Sequence, residues 1–269
     1  MLRTRLHILG TDAAVFEPPH ETSCYVVNRD LLVDLGWCGV LKMPAIGLNP
    51  SEIQTVVITH CHDDHILGLP SLLFFNSLSP QAPPLEIVGP ADHLEKVVAA
   101  AINYVVAARR RALPEVRLTP LAPGDRYENG NYLIETCPAI HPISGLCLRV
   151  TDLRSRATIA FSGDTAYNPQ LVKLAQGVDT LVHEATLGAE APADDRDGHC
   201  GGREAALVAK EAQVGQLLLT HIPRSRRLPA LTGALPHFAA TALAEDGDVV
   251  EIVPGFQGQG GHLRESESD

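Results

Sequence analysis

Nowhere in its 269 residues does the chain carry eighteen consecutive apolar residues, which excludes a membrane-spanning helix of ordinary length. Residues 1–5 run straight into an apolar strand at 6–9 rather than into a secretory hydrophobic region, so a soluble cytoplasmic protein is the expectation. Positive charge is in short supply: 21 Lys and Arg face 32 Asp and Glu, for a net charge of −11. A surface of that sign offers no general attraction to a polyphosphate backbone, and nucleic acid is not an expected partner. The six cysteines (Cys24, Cys38, Cys61, Cys137, Cys147 and Cys200) form no C-x-x-C pair and no framework spacing, which argues against a structural zinc knuckle or a disulfide scaffold. Glycines of the tail from Pro254 to Gly261 match no phosphate-binding loop, and the tail from about 255 to 269 reads as flexible.

What the chain has instead is a concentration of metal ligands. In Thr59-His60-Cys61-His62-Asp63-Asp64-His65, His60, His62, Asp64 and His65 fall within six residues, directly after the apolar run Ile53, Val56, Val57, Ile58. Leu67, Leu69, Leu72, Leu73, Phe74 and Phe75 follow as a buried helix would, so the ligands occupy a strand-to-helix loop. His60 and His62, two apart on extended backbone, can face the same side and share one divalent ion; Asp64 and His65 open the helix and suit a second. Two ions about 3.5–4 Å apart form the usual clamp for hydrolysis at phosphorus or at other polarised bonds. A plainer reading, a solvated turn in which Asp63 or Asp64 caps the helix, accounts for none of the three histidines.

Further candidates stand at the ends of later strands. His141 follows a strand near 131–137, Asp164 ends Thr158-Ile159-Ala160-Phe161-Ser162-Gly163-Asp164, and His221 closes Gln216-Leu217-Leu218-Leu219-Thr220. Gly163 permits a sharp turn beside the carboxylate. The remaining pattern reads as strands at 24–27, 31–35, 85–88, 115–119, 145–151, 157–162, 179–183, 216–219 and 248–252, with helices near 65–77, 92–112, 168–176 and 202–213. Periodicity alone gives a mixed α/β chain of one domain, residues 1–269, long enough and, at 45% hydrophobic, apolar enough for a sizeable core. Arg109-Arg110-Arg111 ends a helix-like stretch and complements its dipole. His7, His93, His237 and His262 lack ligand context, whereas His20, in Pro18-Pro19-His20-Glu21, lies on a loop that could overhang a site. Cys61 and Cys200, as free thiols inside site segments, could confer sensitivity to oxidants or soft metals.

The order His60-x-His62-x-Asp64-His65, His141, Asp164, His221 resembles the metallo-β-lactamase superfamily, over roughly residues 5–225. Leu181-Val182-His183-Glu184-Ala185-Thr186 looks like the HEAT segment of ribonuclease Z and its relatives, and Gly198-His199-Cys200 before an Ala-rich helix resembles the matching region of that branch. The resemblance implies a four-layer αββα sandwich and two divalent ions, zinc first, with manganese or iron also compatible. It assigns His60, His62 and His141 to one ion, Asp64, His65 and His221 to the other, and Asp164 as the bridge, with a hydroxide shared by the ions as nucleophile. Asp64 would orient that nucleophile or accept its proton, and Glu184 and His199 match an acid pair that protonates a leaving oxygen. Arg224 and Arg226, just past His221, could hold a substrate phosphate.

One departure bears on substrate. Ribonuclease Z enzymes that process tRNA usually insert a long basic arm between the residues matching His141 and Asp164, and here only 23 positions separate them. The resemblance without the arm implies a phosphodiesterase acting on a small or cyclic diester, with no membrane association and with a homodimer compatible. The alternatives are a tRNA 3′-end endonuclease, a hydrolase of thioesters, lactones or sulfate esters, and, outside hydrolases, a non-catalytic or di-iron redox member. Histidine at 62, where di-iron relatives tend to carry glutamate, and the absence of a flavin-binding extension argue against the last.

Overall fold

A computed structural model describes residues 2–79, 81–107 and 113–255. Strands β1 (Thr4–Gly10), β2 (Cys24–Val27), β3 (Leu31–Val33), β4 (Thr55–Val57), β5 (Leu85–Pro90) and β6 (Val116–Leu121) come from the first half of the chain. The second half supplies β7 (Arg126–Glu128), β8 (Tyr132–Pro138), β9 (Leu146–Asp152), β10 (Thr158–Phe161), β11 (Thr180–Glu184), β12 (Gln216–Thr220), β13 (Thr241–Leu243) and β14 (Val249–Ile252). They form two seven-stranded sheets, in the orders β14-β1-β2-β3-β4-β5-β6 and β13-β12-β11-β10-β9-β8-β7. Each sheet begins as an antiparallel meander and continues as parallel strands, the change falling between β3 and β4 in one and between β10 and β11 in the other.

The described helices are α1 (Gly39–Lys42), α2 (Asp63–Ile66), α3 (Leu69–Leu78), α4 (Leu94–Ala107), α5 (Pro169–Leu174), α6 (Gly202–Glu211) and α7 (Arg227–Ala234). Because strand side chains alternate between faces, a sheet covered on both sides needs apolar residues at successive positions. β2 shows this: Tyr25 and Val27 face the central layer, and Cys24 and Val26 the outer one. The central layer joins Leu6, Ile8 and Val33 of the first sheet to Ile134, Leu148 and Phe161 of the second. Leu69, Leu72, Leu94 and Val98 of α3 and α4 cover one outer face, and Leu171, Ala205, Val208 and Ala230 of α5, α6 and α7 the other. The result is the αββα sandwich. Each fully buried Leu, Ile or Phe contributes about 1.5–3 kcal/mol, so these three layers rather than surface ion pairs hold the sheets together.

Some expected elements are altered. The helix read at 65–77 is two pieces, α2 and α3, because the chain turns at Gly68, whose N–H donates to Leu35 O at 2.9 Å and where a Cβ would stand 2.6 Å from Gly36 O. Asp63 and Asp64 do not cap it: His62 is the N-cap residue, without a side-chain cap bond, and both carboxylates lie inside the first turn. Residues 108–112, with Arg109-Arg110-Arg111, and 256–269, with most of the tail and His262, lie outside the described residues. The short elements α1, β7, β13 and α7 had no clear periodicity in sequence.

This topology gathers the candidate ligands. Parallel strands end on the same edge of a sheet, and β8 runs in the direction of β10 because both are antiparallel to β9. The C-terminal ends of β8, β10, β11 and β12 therefore open on one edge, as do those of β3 and β4 in the other sheet. The edges are stitched together there by Leu146 N–H donating to Thr59 O (2.8 Å) and an isolated bridge between His60 and Gly145.

Candidate metal centre

All seven residues named from the sequence converge at that edge. Donor atoms of His60, His62, His141 and Asp164 lie within 4.8 Å of one another, as do those of Asp64, His65 and His221. His60, Asp64, His65, Asp164 and His221 are buried, and His62 and His141 are half-buried. Asp164 reaches both groups, with one oxygen 3.6 Å from His60 Nε2 and 3.5 Å from His221 Nε2 and the other 3.5 Å from His65 Nε2. Gly163 makes this approach possible: its φ is +56°, and a Cβ would stand 3.0 Å from that of Thr59.

The hydrogen bonds behind the ligands decide which imidazole atoms face the centre. Asp34, 2% exposed at the end of β3, accepts from Thr59 N (2.8 Å) with Oδ1, and from Thr59 Oγ1 (2.8 Å) and His65 Nδ1 (2.8 Å) with Oδ2. Since the Thr59 hydroxyl donates to Asp34, it can only accept from His60 Nδ1, 3.2 Å away. His141 Nδ1 lies 3.3 Å from the carbonyl of Gly198, which accepts. In the neutral rings, Nε2 of His60, His65 and His141 is then a bare lone pair. Yet His60 Nε2 and His141 Nε2 both lie 3.1 Å from His62 Nδ1, three nitrogens sharing at most one hydrogen. His65 Nε2 and Asp164 Oδ1 are buried with no hydrogen-bond partner among the described residues. Acceptors pointed at acceptors in a buried site are costly unless cations lie between them, so the donor set fits divalent metal ions.

Charge follows the same pattern. Burial, reinforced by His65, pushes the His60 imidazole well below its ordinary range, and burial also lowers His141. At His65 and His221, burial is outweighed by Asp164 together with Asp34 or Asp64, and both pKa values rise. Despite their burial, Asp64 and Asp164 are held well below the usual carboxylate range by the surrounding histidines. Asp34 and His221 are both left-handed at strand ends, with φ of +55° and +53°, a conformation that non-glycine residues adopt rarely and mostly under constraint.

Glu184 ends β11 at 1% exposure, so its pair with His199 is not a surface ion pair. Its Oε1 accepts from Thr165 N (2.9 Å) and pairs with His199 Nδ1 at 2.8 Å; its Oε2 accepts from Thr186 N (3.1 Å) and Thr186 Oγ1 (2.6 Å). The His199 ring lies 5.1 Å from that of His141 and 5.9 Å from that of His221, with a donor atom grouped with those of Asp164 and His221. Gly198 permits this contact, since at φ +71° a Cβ would stand 2.6 Å from Ile140 O. Burial opposes a charge on His199, but Glu184, then Asp164 and Asp195, raise its pKa to about 9.

Arg224 and Arg226 stand exposed on a 3-10 turn, and Arg226 Nη1 donates to Thr186 O at 3.0 Å. His20 is drawn elsewhere, with Nδ1 3.5 Å from Asp246 Oδ1, while Asp246 also accepts from Lys42 Nζ, Glu21 N and Thr11 Oγ1. Burial, then Asp34, pushes the Cys61 thiol up to about 11, and burial raises Cys200 well above the ordinary thiol range, which disfavours the thiolate at both. Two supporting roles went unread in the sequence, that of Asp34 and, although Thr186 was quoted within the HEAT segment, its contact with His221. A carboxylate inside Leu31-Leu32-Val33-Asp34-Leu35 was the available signal, because a charge in an apolar run must find partners.

The profile of the beta-lactamase superfamily domain matches residues 29–222. An uncharacterized protein of Mycobacterium tuberculosis is 32% identical over 230 residues, covering 83% of this chain and 82% of its own length. A ribonuclease BN of Citrobacter koseri is 28% identical over a 304-residue alignment that covers 90% of this chain and 97% of that protein. That alignment is longer than the 269 residues of this chain, so the ribonuclease carries insertions with no counterpart here. The crystal structure of YhfI, a metallo-beta-lactamase fold protein of Bacillus subtilis, superimposes with a TM-score of 0.78 at 23% identity, over 93% of this chain and 99% of the other. The chain belongs to the beta-lactamase superfamily, on the branch whose curated relatives include ribonucleases Z and BN.

Proposed function

We propose that this hydrolase is a dinuclear metal-dependent phosphodiesterase acting on a small or cyclic phosphodiester. The observation that carries the reading is the seven-donor cluster faced by a buried carboxylate–imidazole pair, Glu184 and His199. His60, His62 and His141 would hold one ion and Asp64, His65 and His221 the other, with Asp164 between them. Bound there, divalent cations would supply Lewis-acid polarisation of a phosphoryl oxygen and a water acidic enough to attack near neutral pH. His199, charged through its bond to Glu184, has Nδ1–H occupied and Nε2–H available to protonate a leaving oxygen. Asp64, with its pKa held low, is a poor base and orients the attacking water. Arg224 and Arg226 are the nearby candidates for an exposed phosphate oxygen.

Substrate size rests on the chain between His141 and Asp164, which holds only β9, β10 and their turns. With the acidic net charge, that leaves a structured RNA few phosphate contacts outside the cleft. The names ribonuclease BN and ribonuclease Z among the relatives support a second reading, a ribonuclease, which the resemblance would direct to the 3′ end of a tRNA precursor. A competition assay at moderate salt separates them: bis-(p-nitrophenyl) phosphate and cyclic nucleotides should be hydrolysed and a tRNA precursor cut poorly. Efficient, site-specific removal of a 3′ trailer at low enzyme concentration would replace the small-diester reading with the ribonuclease one.

A further inference from the structure

Thr186, half-buried two residues beyond Glu184, has one hydroxyl hydrogen and three neighbours competing for its oxygen. Oγ1 lies 2.6 Å from Glu184 Oε2, 2.8 Å from His221 Nδ1 and 3.1 Å from His221 O. A carboxylate at 2.6 Å is the strongest of these acceptors, so the hydroxyl hydrogen goes to Glu184. The oxygen's remaining lone pairs can then serve His221 only if Nδ1 carries a hydrogen and donates. That leaves His221 Nε2 as a lone pair, aimed at Asp64 Oδ2 (3.1 Å) and Asp164 Oδ2 (3.5 Å). The opposite arrangement, with the hydroxyl donating to Nδ1, would put the hydrogen on Nε2, where it would pair with Asp64 and block coordination.

We propose that Thr186 is a positioning residue that fixes His221 in the tautomer able to hold a cation, on instruction from the Glu184 carboxylate. One carboxylate therefore serves two ends of the centre: Oε1 holds the acid His199, and Oε2, through a hydroxyl, prepares a metal ligand. The inference rests on reading the cluster as a cation site and not on which ester is cut. The left-handed backbone at His221 fits this role, since it turns both Nδ1 and the carbonyl of that residue back onto Thr186.

Two measurements independent of turnover test it. In zinc-loaded wild-type protein, two-bond 15N–1H correlations should show hydrogen on His221 Nδ1 and none on Nε2; hydrogen on Nε2 there would overturn the proposal whether or not any variant folds. In chelator competition for zinc, Thr186→Val should weaken one of the two sites, the one that His221 serves, by about 10–100-fold, the range usual for removing an outer partner of a metal-bound histidine. Thr186→Ser, which keeps the hydroxyl, should recover most of that loss. Wild-type affinity in a folded Thr186→Val protein refutes the relay and leaves the diesterase reading standing. A protein that loads two ions yet hydrolyses no diester does the reverse.

Discussion

The centre is braced from two sides by different chemistry. Under His60 and His65 stands Asp34, a single buried carboxylate whose oxygens take three donors, all from the first half of the chain. Under His221 the bracing is indirect, a carboxylate acting through the hydroxyl of Thr186, and the same carboxylate also holds His199. The first network can only hold ligands still. On the proposed reading the second connects a metal ligand to a proton donor, so its loss should be read in rate and pH dependence as well as in metal content.

Asp164 belongs to both sides and sets the largest expected effect. Asp164→Asn should reduce bound divalent ions from about two per chain to fewer than one and bring diester hydrolysis to background. Elemental analysis of reconstituted protein checks this. Wild type that never exceeds one ion, or a variant that keeps two, would break the assignment of Asp164 as the bridge.

Removal of Asp34 should come next, with stability as its signature. Asp34→Ala leaves Thr59 N, Thr59 Oγ1 and His65 Nδ1 without their acceptor in a buried site, each unpaired donor costing about 1–3 kcal/mol. At roughly 2–4 °C per kcal/mol for a chain of this size, the melting temperature should fall by at least about 6 °C, alongside weaker metal binding. A change under about 2 °C in scanning calorimetry, near what 1 kcal/mol gives, would mean that water takes over from Asp34 and the two braces are less different than argued.

On the other side, His199→Ala should slow substrates with poor leaving groups by about 10²–10⁴-fold, while nitrophenolate, which leaves unprotonated, suffers far less. Metal content should stay at the wild-type value. The pH profile gives the sign: as the proposed proton donor His199 would have to be protonated, so activity on poor leaving groups should fall as pH rises through the pKa near 9. Glu184→Gln removes the charge that raises this pKa and should shift the alkaline limb to lower pH. Linkage runs the same way, because stability from the pair is fully present below about pH 6.5 and is lost as pH rises through about 9. An alkaline limb unmoved in Glu184→Gln would separate the two residues.

The asymmetry of the braces also explains what could be read from the sequence. His60, His62, Asp64 and His65 sit within one turn of chain, where spacing alone announces shared ligation. His141, Asp164 and His221 are single residues at strand ends, and each became a candidate through the resemblance and the apolar runs before it. Asp34 and Thr186 escaped because their role lies in what they touch across the fold: Asp34 meets residues 25 and 31 positions away, and Thr186 one 35 away. The sandwich was legible through the resemblance, since periodicity alone gave only a mixed α/β chain, and α7 and β13 were not legible at all, their segments being rich in Pro, Gly, Ala and Thr with no clear period. The turn at Gly68, which splits the expected helix, depends on the backbone of Leu35 and Gly36 and is likewise invisible locally.

The smallest expected effect tests where the second brace ends. Arg226 is exposed and donates to Thr186 O, so it could support the relay or reach into the cleft for substrate. The exposure favours substrate: charge pairs of this kind are worth about 0.2–1 kcal/mol, which Arg226→Ala would show as a rise in KM of less than about fivefold with kcat unchanged. Zinc affinity and the alkaline limb should stay at wild-type values, and Arg224→Ala should behave in the same way. If Arg226→Ala instead lowers kcat and weakens zinc binding while Arg224→Ala does neither, then Arg226 belongs to the Thr186 network, and the brace under His221 reaches from the buried carboxylate to the protein surface.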